Sequence, residues 1–134
     1  MIYGIGTDII NSERIKKLIL KFEKKFIYRF FGNSEIELSK NKMDNHLFFS
    51  KRFAAKEAFW KAVSPENTGN VFLKDVEVLS NKFGKPEIYL SGKTKEFIKK
   101  KEIEMKQKFK FYISISDEPP NVLAFVIIFL APFD

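Results

Sequence analysis

Cysteine does not occur in this chain of 134 residues. Its absence removes disulfides, thiolate metal ligands and a cysteine nucleophile together. Histidine is nearly missing as well. His46 stands alone, which excludes a histidine-rich metal site, and its place near a predicted helix start suits a capping or surface role. No Walker loop, GxSxG elbow or HExxH helix is present. The N-terminal MIYGIGTDII lacks a basic segment followed by a long apolar run, so no signal peptide is expected. The longest apolar run, 122–133, is broken by Pro132 and is too short to span a bilayer. These absences lead us to expect a soluble, cytoplasmic protein without a membrane partner.

What is present fits one domain over 1–134. Hydrophobic residues make up 45% of the chain, and 16 phenylalanines supply much of an ordinary core. At this size some apolar surface is left for a partner subunit. The formal net charge of +7 points to anionic partners: nucleic acid, a membrane surface, a phosphorylated cofactor or an acidic protein. Abundant Lys, Ile, Phe and Asn also match an AT-rich genome, so the charge permits anion binding without requiring it. The basic stretch 99–110 has no aromatic-interleaved RNA-binding motif beside it. Nucleic acid is therefore not expected as a partner, although a non-catalytic nucleic-acid-binding module is the alternative reading of the basic surface.

Residues 2–10 read as a strand ending near Asp8. Asn11 or Ser12 can cap a following helix with Ile15, Leu18, Ile19, Phe22 and Phe26 on one face. Arg14, Lys17, Lys21, Lys24 and Lys25 lie on another, a pattern that solvation alone explains. A short helix is expected at 34–40, capped by Asn33 or Ser34. The strongest helix runs over 44–63, without Gly or Pro and apolar on most of its circumference, and so is expected to be buried. A strand over 71–79, a turn at 81–86 and a strand over 87–90 follow. Next come a helix over 94–101 with Ser91 as its cap, and an antiparallel pair of strands over 109–116 and 122–130. The order indicates an α+β domain with a largely antiparallel sheet.

Two features stand out chemically. Glu57 and Lys61 are four apart on the 44–63 helix, among Phe53, Ala54, Ala58, Phe59 and Trp60. As a surface ion pair they would contribute about 0.3–0.5 kcal/mol. In an apolar setting they are costly without compensation, and the small neighbours leave space for a ligand. Asp8 follows GIGT, where glycines allow close backbone approach; taken alone, an aspartate there is most often a helix cap. Together, two carboxylates supply hard oxygen ligands suited to magnesium, and a lysine neutralises phosphate charge. That set fits phosphoryl-group chemistry. Spacing does not establish that Asp8 and Glu57 meet.

GIGTDII at the start, RFAAKEAFWKA at 52–62, FGKPEIYL at 83–90 and SIS at 114–116 together resemble the holo-acyl-carrier-protein synthases, the short stand-alone phosphopantetheinyl transferases of bacteria. The match runs in order across nearly the whole chain. The resemblance implies a long helix packed on an antiparallel sheet, a homotrimer with active sites between subunits, and magnesium as cofactor. It implies that the serine hydroxyl of an acyl carrier protein attacks the β-phosphorus of coenzyme A, releasing adenosine 3',5'-bisphosphate, in the service of fatty acid biosynthesis. On that basis Asp8 and Glu57 are magnesium ligands and Glu57 helps deprotonate the serine. Lys61 binds the pyrophosphate. Gly84, Lys85 and Pro86 lie near the nucleotide end of coenzyme A, and the Arg14–Lys17–Lys21 face docks the carrier protein. One departure is Asp117, where the family often has histidine; an anion there is expected to weaken coenzyme binding. The 64–70 loop keeps Thr68 and Gly69 but is otherwise loosely matched.

Overall fold

The computed structural model describes residues 1–63 and 65–133. Ser64 and Asp134 lie outside the described residues, as do the side chains at 65, 67 and 68, and with them the match at Thr68.

The chain opens with β1 (Ile2–Asn11), three residues longer than a strand ending at Asp8. It continues because β1 pairs antiparallel with β5 (Asn121–Pro132) as far as Asn11 opposite Asn121. Helix α1 (Ser12–Phe22) is capped by Asn11, whose side chain accepts from the Glu13 amide at 2.9 Å. The single stripe expected from Ile15 to Phe26 is broken at Glu23, with φ 49° and ψ −127°. A second helix, α2 (Lys24–Phe30), starts there. The break turns Phe26 into the core against Phe30, Phe31 and Phe53, with ring centroids 5.3, 6.1 and 6.0 Å away. Phe22 is left exposed.

Helix α3 (Asn33–Ser39) precedes α4 (Asn45–Val63), a helix of 19 residues. Short 3-10 turns at Pro65–Asn70 and Leu73–Asp75 lead to β2 (Val76–Ser80) and β3 (Pro86–Leu90), which form a two-stranded antiparallel sheet. The strand expected from Val71 therefore begins at Val76. The cause is Asp75, whose carboxylate accepts from the Thr94 amide at 3.2 Å and the Thr94 hydroxyl at 3.1 Å. Asp75 thus caps α5 (Gly92–Met105), a task expected of Ser91, whose side chain makes no cap bond to that helix. The strand β4 (Gln107–Glu118) then pairs with β5, giving a three-stranded antiparallel sheet in the order β1-β5-β4.

The core lies between α4 and the inner face of this sheet. Val122, Ala124, Val126 and Ile128 of β5 are fully covered, as are Ala54, Ala58 and Phe59 of α4. Each large apolar side chain so buried contributes about 1.5–3 kcal/mol. One charged pair shares this interior. Lys56 donates to Glu35 Oε1 at 2.6 Å, to the Val76 carbonyl at 2.6 Å and to the Leu73 carbonyl at 3.1 Å. Glu35 in turn accepts from the amides of Gly32 and Val78, both at 3.0 Å. The pair ties α3, α4 and the start of β2 together. Desolvation pushes the Glu35 pKa up and the Lys56 pKa down, each opposed by the attraction of the other.

The outer face of the three-stranded sheet is apolar along β1 and β5 and mostly polar along β4, where Lys110, Ser114 and Ser116 are exposed. Ile5 and Ile9 of β1 lie opposite Ile127 and Leu123 of β5, and Phe125 and Phe129 stand on the same side.

Candidate active site

Period-two alternation sets the site. Along β1, Gly6 and Ile10 are buried and Asp8 lies between them on the same inner face, while Ile5, Thr7 and Ile9 are exposed. Gly4 and Gly6 let the strand lie directly on α4. A Cβ on Gly4 would stand 1.8 Å from the Ala62 carbonyl oxygen, and one on Gly6 1.8 Å from that of Ala58. No side chain fits in either gap. This contact brings Asp8 to the helix segment carrying Glu57, beside Ala58, and Lys61.

Lys61 Nζ donates to Asp8 Oδ1 at 3.1 Å and to the Thr7 carbonyl at 3.0 Å. Its ammonium therefore reaches across the helix–strand seam to β1. Glu57 is half-buried, and its carboxyl is pushed above the usual range by desolvation first and by the negative charge of Asp8 second. Lys61 and Arg14 pull in the opposite direction. The mutual effects of these four side chains mean that β1, α1 and α4 converge here, which spacing alone left open. Asp8 is not a helix cap, since Asn11 fills that position.

Among the described residues no group of three or more His, Cys, Asp or Glu side chains gathers in one place. Asp8 and Glu57 are two carboxylates that could together offer oxygens to a divalent cation. They offer hard oxygens only, their charges repel, and the ammonium already resting on Asp8 marks the position as one that welcomes a cation. Two carboxylates suit an ion that takes its other ligands from water and substrate phosphates.

The turn residues Gly84, Lys85 and Pro86 lie elsewhere. Asn81 organises the turn, its side-chain oxygen accepting from the amides of Phe83 at 2.8 Å and Lys85 at 3.0 Å. Gly84 adopts φ +82°, where a side chain is strained. Gly84 and Pro86 line an open cleft of about 380 Å³ together with Lys42, Lys51 and Arg52. Lys85 lines an adjoining groove with Glu87 and Lys110, which shares Pro86 with the cleft. Neither the cleft nor the groove is lined by Asp8, Glu57 or Lys61.

Arg52 is held in the cleft wall by donating from Nε to the Val78 carbonyl at 3.0 Å, with its guanidinium 3.6 Å from the centre of the Phe48 ring. Asp117 also lines the cleft, and Lys51 Nζ lies 3.3 Å from its Oδ1. Lys42, Lys51 and Arg52 were not singled out by sequence. The available signal was the adjacent Lys51–Arg52 pair on a helix otherwise rich in apolar residues. On α1, Arg14, Lys17 and Lys21 are all exposed and form a basic face.

The family described as the 4'-phosphopantetheinyl transferase superfamily matches residues 4–114. The chain is 42% identical over 132 residues to the holo-[acyl-carrier-protein] synthase of Orientia tsutsugamushi strain Boryong, covering 96% of this chain and 97% of that protein. It is also 42% identical over 127 residues to the holo-[acyl-carrier-protein] synthase of Pelagibacter ubique, covering 95% and 96%. Among solved structures, the Neisseria meningitidis holo-[acyl-carrier-protein] synthase superposes with a TM-score of 0.84 at 35% identity, over 96% of this chain and 98% of that one. The Bacillus anthracis holo-(acyl-carrier-protein) synthase in complex with CoA (3',5'-ADP) gives 0.75 at 30% identity, over 98% of each chain.

Proposed function

This chain belongs to the holo-acyl-carrier-protein synthases of the 4'-phosphopantetheinyl transferase superfamily, and we propose that it moves 4'-phosphopantetheine from coenzyme A to a serine of an apo-acyl carrier protein. The observation that carries the reading is the convergence of Asp8, Glu57 and Lys61 at the seam where Gly6 seats on Ala58.

In the proposed reaction the serine oxygen forms a bond to the β-phosphorus, and the bond from that phosphorus to the bridging oxygen breaks. Adenosine 3',5'-bisphosphate leaves, and the serine proton passes to a base. Glu57 is the carboxylate placed at the seam to take that proton, directly or through a water. Lys61 suits the leaving side, where an ammonium offsets the charge gathering on the departing phosphate. Asp8 and Glu57 would hold a magnesium ion, which supplies further positive charge against the pyrophosphate oxygens.

The cleft at Gly84, Pro86 and Arg52 would take the nucleotide end of coenzyme A. Because its lining is separate from the Asp8–Glu57 seam, we read the working site as shared between subunits, with the seam of one chain facing the cleft of the next in a homotrimer. The exposed apolar side chains of β1 and β5 on the outer sheet face support association. The basic face of Arg14, Lys17 and Lys21 suits an acidic carrier protein, and fatty acid biosynthesis in the cytoplasm is the setting this reaction would serve. Substituting Glu57→Ala in a transfer assay tests the assignment: we expect activity to fall at least 100-fold while the fold is kept. Full activity in that variant would remove Glu57 from the reaction.

A further inference from the structure

The cleft holds charges of both signs on rigid elements. Arg52 is fixed by its bond to the Val78 carbonyl and its stack on Phe48. Of the two acids, Asp44 is engaged by His46, and Asp117 by Lys51 at 3.3 Å. Lys51 stands on α4, and Asp117 lies near the end of β4 opposite Val122 of β5. Their side chains keep 34% and 27% exposure, so both remain within reach of a ligand entering the cleft.

An anion in this position has a definite consequence. A phosphate entering the cleft meets Lys51 already satisfied and meets the Asp117 carboxylate as a like charge. To recruit Lys51 it must compete with Asp117 for the ammonium. When the phosphate leaves, the lysine is again 3.3 Å from Asp117. We infer that Asp117 is a built-in counter-anion for Lys51, competing with substrate and product phosphates and so setting how tightly the cleft holds them. Lys51 is then a phosphate-binding residue held in reserve, and Asp117 a determinant of coenzyme affinity and product release. The inference rests on the reading that the nucleotide end of coenzyme A enters this cleft.

The test is the Kd of adenosine 3',5'-bisphosphate, measured by titration calorimetry on the full chain. Asp117→Asn is expected to tighten binding about 2- to 5-fold, the range of a partly exposed ion pair. Lys51→Met is expected to weaken binding, and to weaken it more in the Asp117→Asn background, where the lysine is free for phosphate. Lys42→Glu, on the same cleft, separates the role of Asp117 from use of the cleft itself. If Lys42→Glu weakens binding while Asp117→Asn leaves it unchanged or weaker, the counter-anion role is overturned and the cleft stands. If Lys42→Glu has no effect either, the ligand does not enter this cleft, and the inference falls with that reading.

Discussion

Gly6 lies so close to Ala58 that a Cβ on the glycine would stand 1.8 Å from the Ala58 carbonyl oxygen. The neighbour is helix backbone, which cannot swing aside as a side chain can. Gly6→Ala must therefore push β1 off α4, and overpacking of this kind costs about 1–3 kcal/mol or more. Asp8 moves with the strand, so transfer activity should fall further than stability alone explains. Gly69→Ala, where a Cβ meets nothing within 4 Å, is the control and should be close to neutral by thermal denaturation.

Glu57 should make the protein less stable than it would be without the charge. Its pKa is raised by desolvation and by Asp8. A raised carboxylate contributes most to the fold below its unfolded value, and that contribution is lost as pH rises through the folded value. Glu57→Gln should therefore raise the Tm at pH 7 to 8, and the gain should vanish on acidification below about 4, the ordinary glutamate range. A gain that persisted at low pH would show that repulsion and desolvation of the carboxylate are not the cause. Because a divalent cation stabilises the ionised form, magnesium should raise the Tm of the unsubstituted protein more than that of Glu57→Gln.

The Lys56–Glu35 pair makes a separate prediction about the frame. Lys56→Met leaves Glu35 charged in the core and should cost about 3–5 kcal/mol. Combining it with Glu35→Leu should recover only part of that loss. The amides of Gly32 and Val78 and the carbonyls of Leu73 and Val76 would still lack the partners they have here. Full recovery in urea unfolding would mean that those backbone groups find other partners.

The outer sheet face predicts association. Phe125 lies opposite Ser114 on one side and Thr7 on the other, between the exposed Leu123 and Phe129 of the same strand. Phe125→Asp should shift the proposed trimer to monomer in light scattering and reduce transfer along with it. A trimer that survives the substitution would move the interface to another face.

How much of this was legible beforehand differs by residue. GIGT next to Asp8, and Glu57 with Lys61 on an apolar helix, were visible because each breaks a local pattern of composition. Their meeting was not visible, since it depends on two glycines seating on two helix carbonyls. The break at Glu23 carries no Gly or Pro to announce it, and is set by where Phe26 packs. The late start of β2 follows from Asp75 reaching Thr94, a contact 19 apart in sequence. The cleft was least legible because segments around 42–52, 78–86 and 115–117 each supply part of it. Lys56 was hidden by its neighbour: Glu57 is the conspicuous costly charge on this helix, while the fully buried pair joins the residue before it to Glu35 on another helix.

Transfer of 4'-phosphopantetheine can be measured directly. The direct measurement is the intact mass of an apo-acyl carrier protein after incubation with this protein, coenzyme A and magnesium. We predict a gain of one phosphopantetheine that disappears when a chelator is added. No gain on a carrier that another phosphopantetheinyl transferase modifies under the same conditions would contradict it.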